Sequence, residues 1–205
     1  MAISVTRELS KAMQRLQLGA GKKPRPGWFN IDLNIETQFR HDGTIALRHD
    51  LREGLPFQDD YFDVIYSSHF FEHLDTTNGM ELMAHCLRVL KPEGVFRAAL
   101  PDVRPMFKAY VDRDMAYFDW VKSIDGKALP RKVTTPIDFI DRAARGWEHQ
   151  TLYDPEKMTA MLARTGFVSI QETQYDPAFD PDSDSRRAFS FYMIGHKPKP
   201  AAPQT

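Results

Sequence analysis

The sequence predicts an α/β fold built on a mainly parallel, doubly wound sheet, and three observations predict it. The first is the stretch Leu16 to Asp32, LQLGAGKKPRPGWFNID. A short apolar run there meets Gly19-Ala20-Gly21, and a second run, Trp28-Phe29-Asn30-Ile31, ends in Asp32. A strand entering a glycine turn, then a strand ending in a carboxylate, is how such a sheet holds a nucleoside. The glycines let backbone approach a ligand, and the carboxylate can accept two hydrogen bonds from ribose hydroxyls. The second observation is the alternation of strand-like and helix-like segments, which favours parallel pairing. The third is a helix-free link between the last two strands, which lets them pair antiparallel.

In order, residues 4–13 read as a short helix capped by Ser4 or Thr6, and a first strand follows at 14–18. Pro24 and Pro26 disfavour a regular helix in the next turn, so the crossover to the second strand, 28–32, is expected to be abbreviated. Ile45 to Arg48 is a third strand, ending in His49-Asp50-Leu51. Phe62 to Ser67 is a fourth, running into Ser68-His69. Residues 79–90 read as a helix with Met80, Met83, Leu87 and Leu90 on one stripe, widened by Cys86, and with Glu81, His85 and Arg88 facing away. Lys91-Pro92-Glu93-Gly94 ends it, and Val95 to Leu100 is a fifth strand before Pro101-Asp102.

Residues 103–150 break this rhythm and are rich in aromatics, which read mainly as core. Thr135, Pro136, Asp138 and Gly146 mark a helix there. Asp154 and Pro155 open another, stopped at Gly166, with Met158, Met161 and Leu162 inward. Phe167 to Gln174 and Ala188 to Gly195 are the last strands. Asp176, Asp180, Asp182 and Asp184 between them read as a solvated acidic loop, with Arg186-Arg187 pairing locally.

The 205 residues suit one domain, expected over 1–197 with a helical insert or lid at 103–150 and a disordered tail at 198–205. A net charge of −1 gives no electrostatic footprint for DNA or an anionic membrane. The lone Cys86 rules out an internal disulfide and fits a reducing compartment. The N-terminus shows no secretion signal, and no apolar run is long enough for a membrane span. The expected location is the cytoplasm; the sequence does not specify an oligomeric state.

With these residues laid out, the chain resembles the class I S-adenosylmethionine-dependent methyltransferases, in particular a small bacterial branch. The matching stretches are Leu16 to Gly21, Pro26 to Asp32, Asp50 to Phe57, Glu72 to Leu74, Leu90 to Gly94, Pro101-Asp102, Tyr153 to Glu156 with Gly166-Phe167, and Ser190 to Tyr192. The resemblance implies a Rossmann-like sheet of seven strands whose last strand is antiparallel. It implies S-adenosyl-L-methionine as cofactor, with Gly19, Ala20 and Gly21 near its methionine and ribose portions. Asp32 with Leu33 would hold the ribose, Asp50 and Leu51 would sit beside the adenine, and Ser68 and His69 would line the methionyl end. The chain departs from the family pattern at Gln17, where an acid is common, and at Lys23, where a third glycine is common.

Each candidate has a plainer reading beside it. Gly19 and Gly21 could be turn glycines only, and Asp50 could cap the next turn. His69, His149 and Asp102 are candidate bases for an acceptor's proton; a structural histidine is the alternative for His149. His69-Phe70-Phe71-Glu72-His73 fits the zinc-protease pattern H-x-x-E-H. It starts at a strand end and soon meets Asp75-Thr76-Thr77-Asn78-Gly79, so it is read as a short turn at the cofactor pocket and no metal is expected. The acceptor is expected to be a small molecule or sugar. A non-catalytic binding module remains an alternative, and so, less favoured, does a nicotinamide-dependent oxidoreductase, whose G-x-G-x-x-G fails at Pro24.

Overall fold

Short β-forming runs separated by turn residues build one mixed sheet in the computed structural model, which describes residues 13–22, 24–125, 134–180 and 184–201. Its strands are β1 (Arg15–Leu18), β2 (Phe29–Asp32), β3 (Gln38–Phe39), β4 (Ile45–Arg48), β5 (Phe62–Ser68), β6 (Leu90–Pro101), β7 (Val168–Thr173) and β8 (Ser190–His196). Their order is β3-β4-β2-β1-β5-β6-β8-β7. From β4 to β6 neighbours run parallel; β8 lies antiparallel to both β6 and β7. The sheet therefore has eight strands rather than seven. The extra one, β3, is a two-residue antiparallel addition on β4, too short to leave a period-2 signal in sequence. Residues 4–12 of the predicted helix lie outside the described residues, as does Lys23, and Met13 is not helical.

Helices α1 (Thr76–Val89) and α5 (Pro155–Thr165) cover one face and form the main core with Leu16, Leu18, Phe62, Ile65 and Phe96. Trp28, Val64 and Tyr66 make a smaller cluster on the opposite face. Helix α1 starts earlier than its hydrophobic pattern suggests, because Asp75 caps it by accepting from Asn78 N at 2.8 Å. Its buried stripe is Gly79, Leu82, Met83, Cys86 and Val89, rotated from the expected Met80–Met83–Leu87–Leu90 line. Arg88 does not face away. Its guanidinium donates to the carbonyls of Leu55 and Phe57 and pairs with Asp59, tying the loop before β5 to the helix. Periodicity shows which positions are apolar, but α5 packing onto α1 decides which of them are covered.

The crossover from β1 to β2 contains no helix, as the two prolines imply. Asn30, 1% exposed, holds it instead. Its Nδ2 donates to the carbonyls of Arg25, Trp28 and Ile45, and its Oδ1 accepts from Arg25 N at 2.7 Å. Arg25 stacks over Trp28, 3.9 Å from the ring centroid, and donates to Phe179 O. Asn30→Ala is expected to destabilise the fold by about 1–3 kcal/mol through these orphaned groups. A thermal melt followed by circular dichroism checks it, at about 2–4 °C per kcal/mol.

The acidic loop departs most from expectation. Asp180 is fully buried and forms a bidentate pair with Arg97 of β6, itself 3% exposed. Arg97 also donates to Thr173 Oγ1 and Gln174 O, both at 2.8 Å. Asp182 and the Asp184 side chain lie outside the described residues. Charge density alone reads as solvation; the partner that brings Asp180 inside sits on a distant strand.

The described residues of the insert form α2 (Arg104–Asp112), α3 (Met115–Asp125) and α4 (Pro136–Arg145). Helix α4 starts after the expected cap Thr135, whose N and Oγ1 both donate to Asp138 Oδ2. Ala109, Phe118, Val121 and Phe139 give these helices a small core of their own. The link between β7 and β8 is not helix-free as expected: it carries a short helix, α6 (Asp184–Arg187), a single turn too short to serve as a crossover, so β7 and β8 still pair antiparallel.

Candidate active site

Strands β1, β2, β4 and β5 present their carboxyl ends along one edge. The chain leaves β1 to one side and returns to β5 on the other, a topological switch point where such sheets take ligands. A cavity of about 1060 Å³ opens there. Gln17, Gly19, Ala20, Gly21, Asp32, Leu33, Asp50, Leu51, Ser68 and His69 all line it, so the structure gathers every expected cofactor-side residue in one place.

Gly19 has φ +64°, and a Cβ there would stand 2.5 Å from Phe70 Cδ2 and 2.6 Å from Phe70 Cβ. Gly21 also has positive φ, but its missing Cβ faces open space. Gly21 N donates to Asp32 Oδ2 at 2.9 Å, and Asn34 N donates to Oδ1 at 2.6 Å. Each oxygen keeps a lone pair. Asp50 has the capping role as well as its place in the wall: it accepts from Arg52 N and pairs with the Arg52 guanidinium. Those bonds hold its carboxyl below the usual range.

A second cavity of about 820 Å³ lies between the sheet edge and helices α2–α4. Val103, Met106, Val121, Ile124 and Phe139 make its apolar wall. The two cavities share His69, His73, Glu148 and Arg186. His69, Trp147 and Glu148 have φ of +47°, +52° and +66°. Non-glycine residues held this way cluster at functional sites, where surrounding structure keeps them.

The three candidate bases differ in how their lone pairs are engaged. His69 Nε2 stands 2.7 Å from Ser190 Oγ, whose hydroxyl donates to Arg186 O. Ser190 therefore accepts, Nε2 carries the ring proton, and Nδ1 faces Glu72 Oε1 at 3.5 Å. Burial foremost, with Arg186 and the other histidines, pushes His69 down to about 3, and burial pushes Glu72 up to about 8. The contact is thus between a neutral imidazole and a mainly protonated carboxyl rather than an ion pair. Asp102 is held by Arg104, which donates from its backbone N and Nε to Oδ1 and from Nη2 to Oδ2 and bridges on to Glu172, so a lone pair stays open only on Oδ2. His149 donates from Nδ1 to Ala143 O at 2.9 Å, which leaves Nε2 open on the second cavity.

Comparison with known proteins decides what this edge belongs to. Residues 31–98 match the methyltransferase-domain family. A S-adenosylmethionine-dependent methyltransferase from Archaeoglobus fulgidus shares the fold, with TM-score 0.51, 17% identity and coverage of 91% of this chain and 87% of that one. Residues 31–98 thus match a methyltransferase domain, and the fold is that of the S-adenosylmethionine-dependent methyltransferases. A putative methyltransferase from Haloferax volcanii, solved with the Trm112 activator, aligns with TM-score 0.51 and 14% identity over 91% and 83% of the two chains. A Haemonchus contortus phosphoethanolamine N-methyltransferase, solved with phosphomonomethylethanolamine and S-adenosylhomocysteine, aligns with TM-score 0.51 and 13% identity. That alignment covers 93% of this chain and half of the other. No curated protein sequence matches significantly.

The residues of the first cavity fit S-adenosyl-L-methionine. Gln17 Oε1 is buried without a hydrogen-bond partner on the cavity wall, so the amide that replaces the common acid still offers an acceptor there. Gly19 sits where a side chain would collide with Phe70, and Asp32 keeps two lone pairs. Phe70, Glu148 and Arg186 also line the cofactor cavity without having been singled out for it by the motifs. Glu148 adjoins His149 in sequence but carries no spacing signal of its own. Arg186 reads as half of a local charge pair until α6 places it between the cavities. The zinc-protease reading lacks its helix: Phe71–His73 is a single 3-10 turn, and the two histidines do not share a helix face. Among the described residues, no helix is long and apolar enough to cross a membrane.

Proposed function

We propose that this methyltransferase acts on a small-molecule or sugar acceptor held in the second cavity, with its reacting atom at the seam near His69, His73 and Glu148. The observation that carries this reading is the pair of adjoining cavities, one walled by Gly19, Asp32 and Asp50 and the other by apolar side chains of α2–α4. S-adenosyl-L-methionine supplies the methyl group from its sulfonium. Asp32 accepts from the ribose hydroxyls; Gly19 and Gly21 admit the methionine and ribose portions; Leu51 and Asp50 flank the adenine; Gln17 and Ser68 receive the methionyl end.

The segment 103–150 acts as the lid. Val103, Met106 and Phe139 shed water from the acceptor and fix its orientation, which supports reaction through proximity. His149 turns its open Nε2 toward the second cavity. His69 and Asp102 act as positioning residues, because His69 Nε2 donates to Ser190 Oγ and Asp102 accepts from Arg104. The lone Cys86, buried and free, accords with action in the cytoplasm, and the near-neutral charge accords with an acceptor other than DNA.

Asp32→Ala tests the cofactor half. Loss of two hydrogen bonds to a charged group is expected to raise the Kd for S-adenosylhomocysteine roughly 10–100-fold in isothermal titration calorimetry. An unchanged Kd would remove Asp32 from the site.

A further inference from the structure

Methyl transfer as described leaves Glu72 with nothing to do. Its side chain is 2% exposed, and neither carboxylate oxygen has a hydrogen-bond partner. A buried carboxyl with no donor calls for a partner beyond the fold's own hydrogen bonds. The Phe71–His73 turn that carries it is anchored by Phe71 in the main core. The segment bearing His149 is fastened to the same turn. Gln150 N and Thr151 N both donate to Glu72 O, at 2.8 and 3.2 Å, and Gln150 Nε2 donates to His73 O at 3.0 Å. One ligand atom from each of Glu72, His73 and His149 then lies within 4.8 Å of the other two.

We propose that Glu72, His73 and His149 bind a divalent transition-metal ion whose open coordination positions face the acceptor cavity and take an oxygen of the acceptor. Two imidazoles and one carboxylate form a donor set that suits zinc, manganese or ferrous iron, and three protein ligands leave room for a further one. Bonds of about 2.0–2.2 Å put tetrahedral ligand atoms about 3.4 Å apart, so the side chains need to close by roughly an ångström. The outer support is in place: His149 Nδ1 is fixed by Ala143 O, which orients Nε2 inward as metal-bound histidines require. Ala143 lies in the last turn of α4, the end of a helix that favours a cation. Glu72 and His149 line the acceptor cavity and His73 lines both, so the ion sits at the seam.

The H-x-x-E-H pattern thus supplies two of its three residues, and His149 takes the place of His69. Arg186 is the competing cation: it lines the same cavity, and its charge reaches Glu72. The acceptor part of this inference rests on the methyltransferase reading; the ion site does not.

Untagged full-length protein, stripped with chelator, is titrated with ZnCl2 and separately with MnCl2. One equivalent is expected to bind for at least one ion. Glu72→Gln and His149→Ala should each weaken it ~tenfold or more, while His41→Ala, at an exposed histidine, should leave it unchanged. S-adenosylhomocysteine binding by each variant reports that the fold stands. No stoichiometric ion in the wild type, as expected if Arg186 alone serves Glu72, overturns the site; so does retention of full affinity in both variants. Acetohydroxamate, a bidentate oxygen ligand, should bind the metal-loaded wild type and not the stripped protein. Its failure to do so overturns the open face. A wild type that takes the ion but no S-adenosylhomocysteine would sink the acceptor assignment and leave the ion site standing.

Discussion

Asp180→Ala is expected to destabilise the protein by about 3–5 kcal/mol, the usual effect of stripping one partner from a buried ion pair. Arg97 would remain 3% exposed with its Nε and one Nη2 bond lost, and Asp176 N would lose the Oδ2 it donates to at 2.7 Å. The loop from 174 to 180 would come away from β6, taking with it Phe179, which packs on the Trp28 cluster and accepts from Arg25. The effect therefore spreads to the helix-free crossover that carries Gly21. Urea unfolding gives the free energy, and a thermal melt should show a drop of roughly 6–20 °C. Replacing the pair together, Arg97→Met with Asp180→Leu, should recover much of the loss, since no buried charge is left alone. A single-variant loss below about 1 kcal/mol would mean that Thr173 and Gln174 satisfy Arg97 by themselves.

Gly19→Ala is the second large effect, and it falls on binding as well as folding. Holding alanine at φ +64° costs about 1–2 kcal/mol. The clash of its Cβ with Phe70 adds about 1–3 kcal/mol of overpacking. The nearest atoms include Phe70 Cβ and Cγ, so the side chain cannot escape by moving its tip. Phe70 lines the cofactor cavity and has to shift into it or push the β1 turn outward. Affinity for S-adenosylhomocysteine should fall by at least tenfold in calorimetry, with a lowered Tm. Gly21→Ala is the comparison: it bears a similar φ penalty, but its Cβ meets nothing within 4 Å, so stability should fall less. Equal losses in the two variants would make the Phe70 contact irrelevant and reduce Gly19 to a turn glycine.

The local parts of this molecule are legible in the sequence because their causes are local. Two short apolar runs ending in Gly19 and Asp32 locate β1 and β2, and Pro24 with Pro26 removes the helix between them. Thr135-Pro136 and Asp154-Pro155 place α4 and α5 to within a residue. The absence of a full helical segment between β7 and β8 foretells their antiparallel pairing, since reversing direction needs only a loop. These signals suffice to assemble the cofactor cavity, whose walls are strand ends.

The rest depends on which residues meet across the fold. Asp180 has the same sequence character as Asp176, and only the arrival of Arg97 from β6 makes it a buried partner. The stripe of α1 turns toward Cys86 and Val89 because α5 packs there, which no periodicity within α1 can report. Glu72 reads as one turn residue among several, until the His149 segment hydrogen-bonds to its carbonyl and leaves its carboxyl enclosed beside two imidazoles. Residue pattern determined the sheet and its glycine–carboxylate edge, because strand, turn and cap preferences act over a few neighbouring residues. Tertiary packing decided the second cavity and the Glu72–His73–His149 cluster, because burial and charge pairing act between side chains that are close only once the chain has folded.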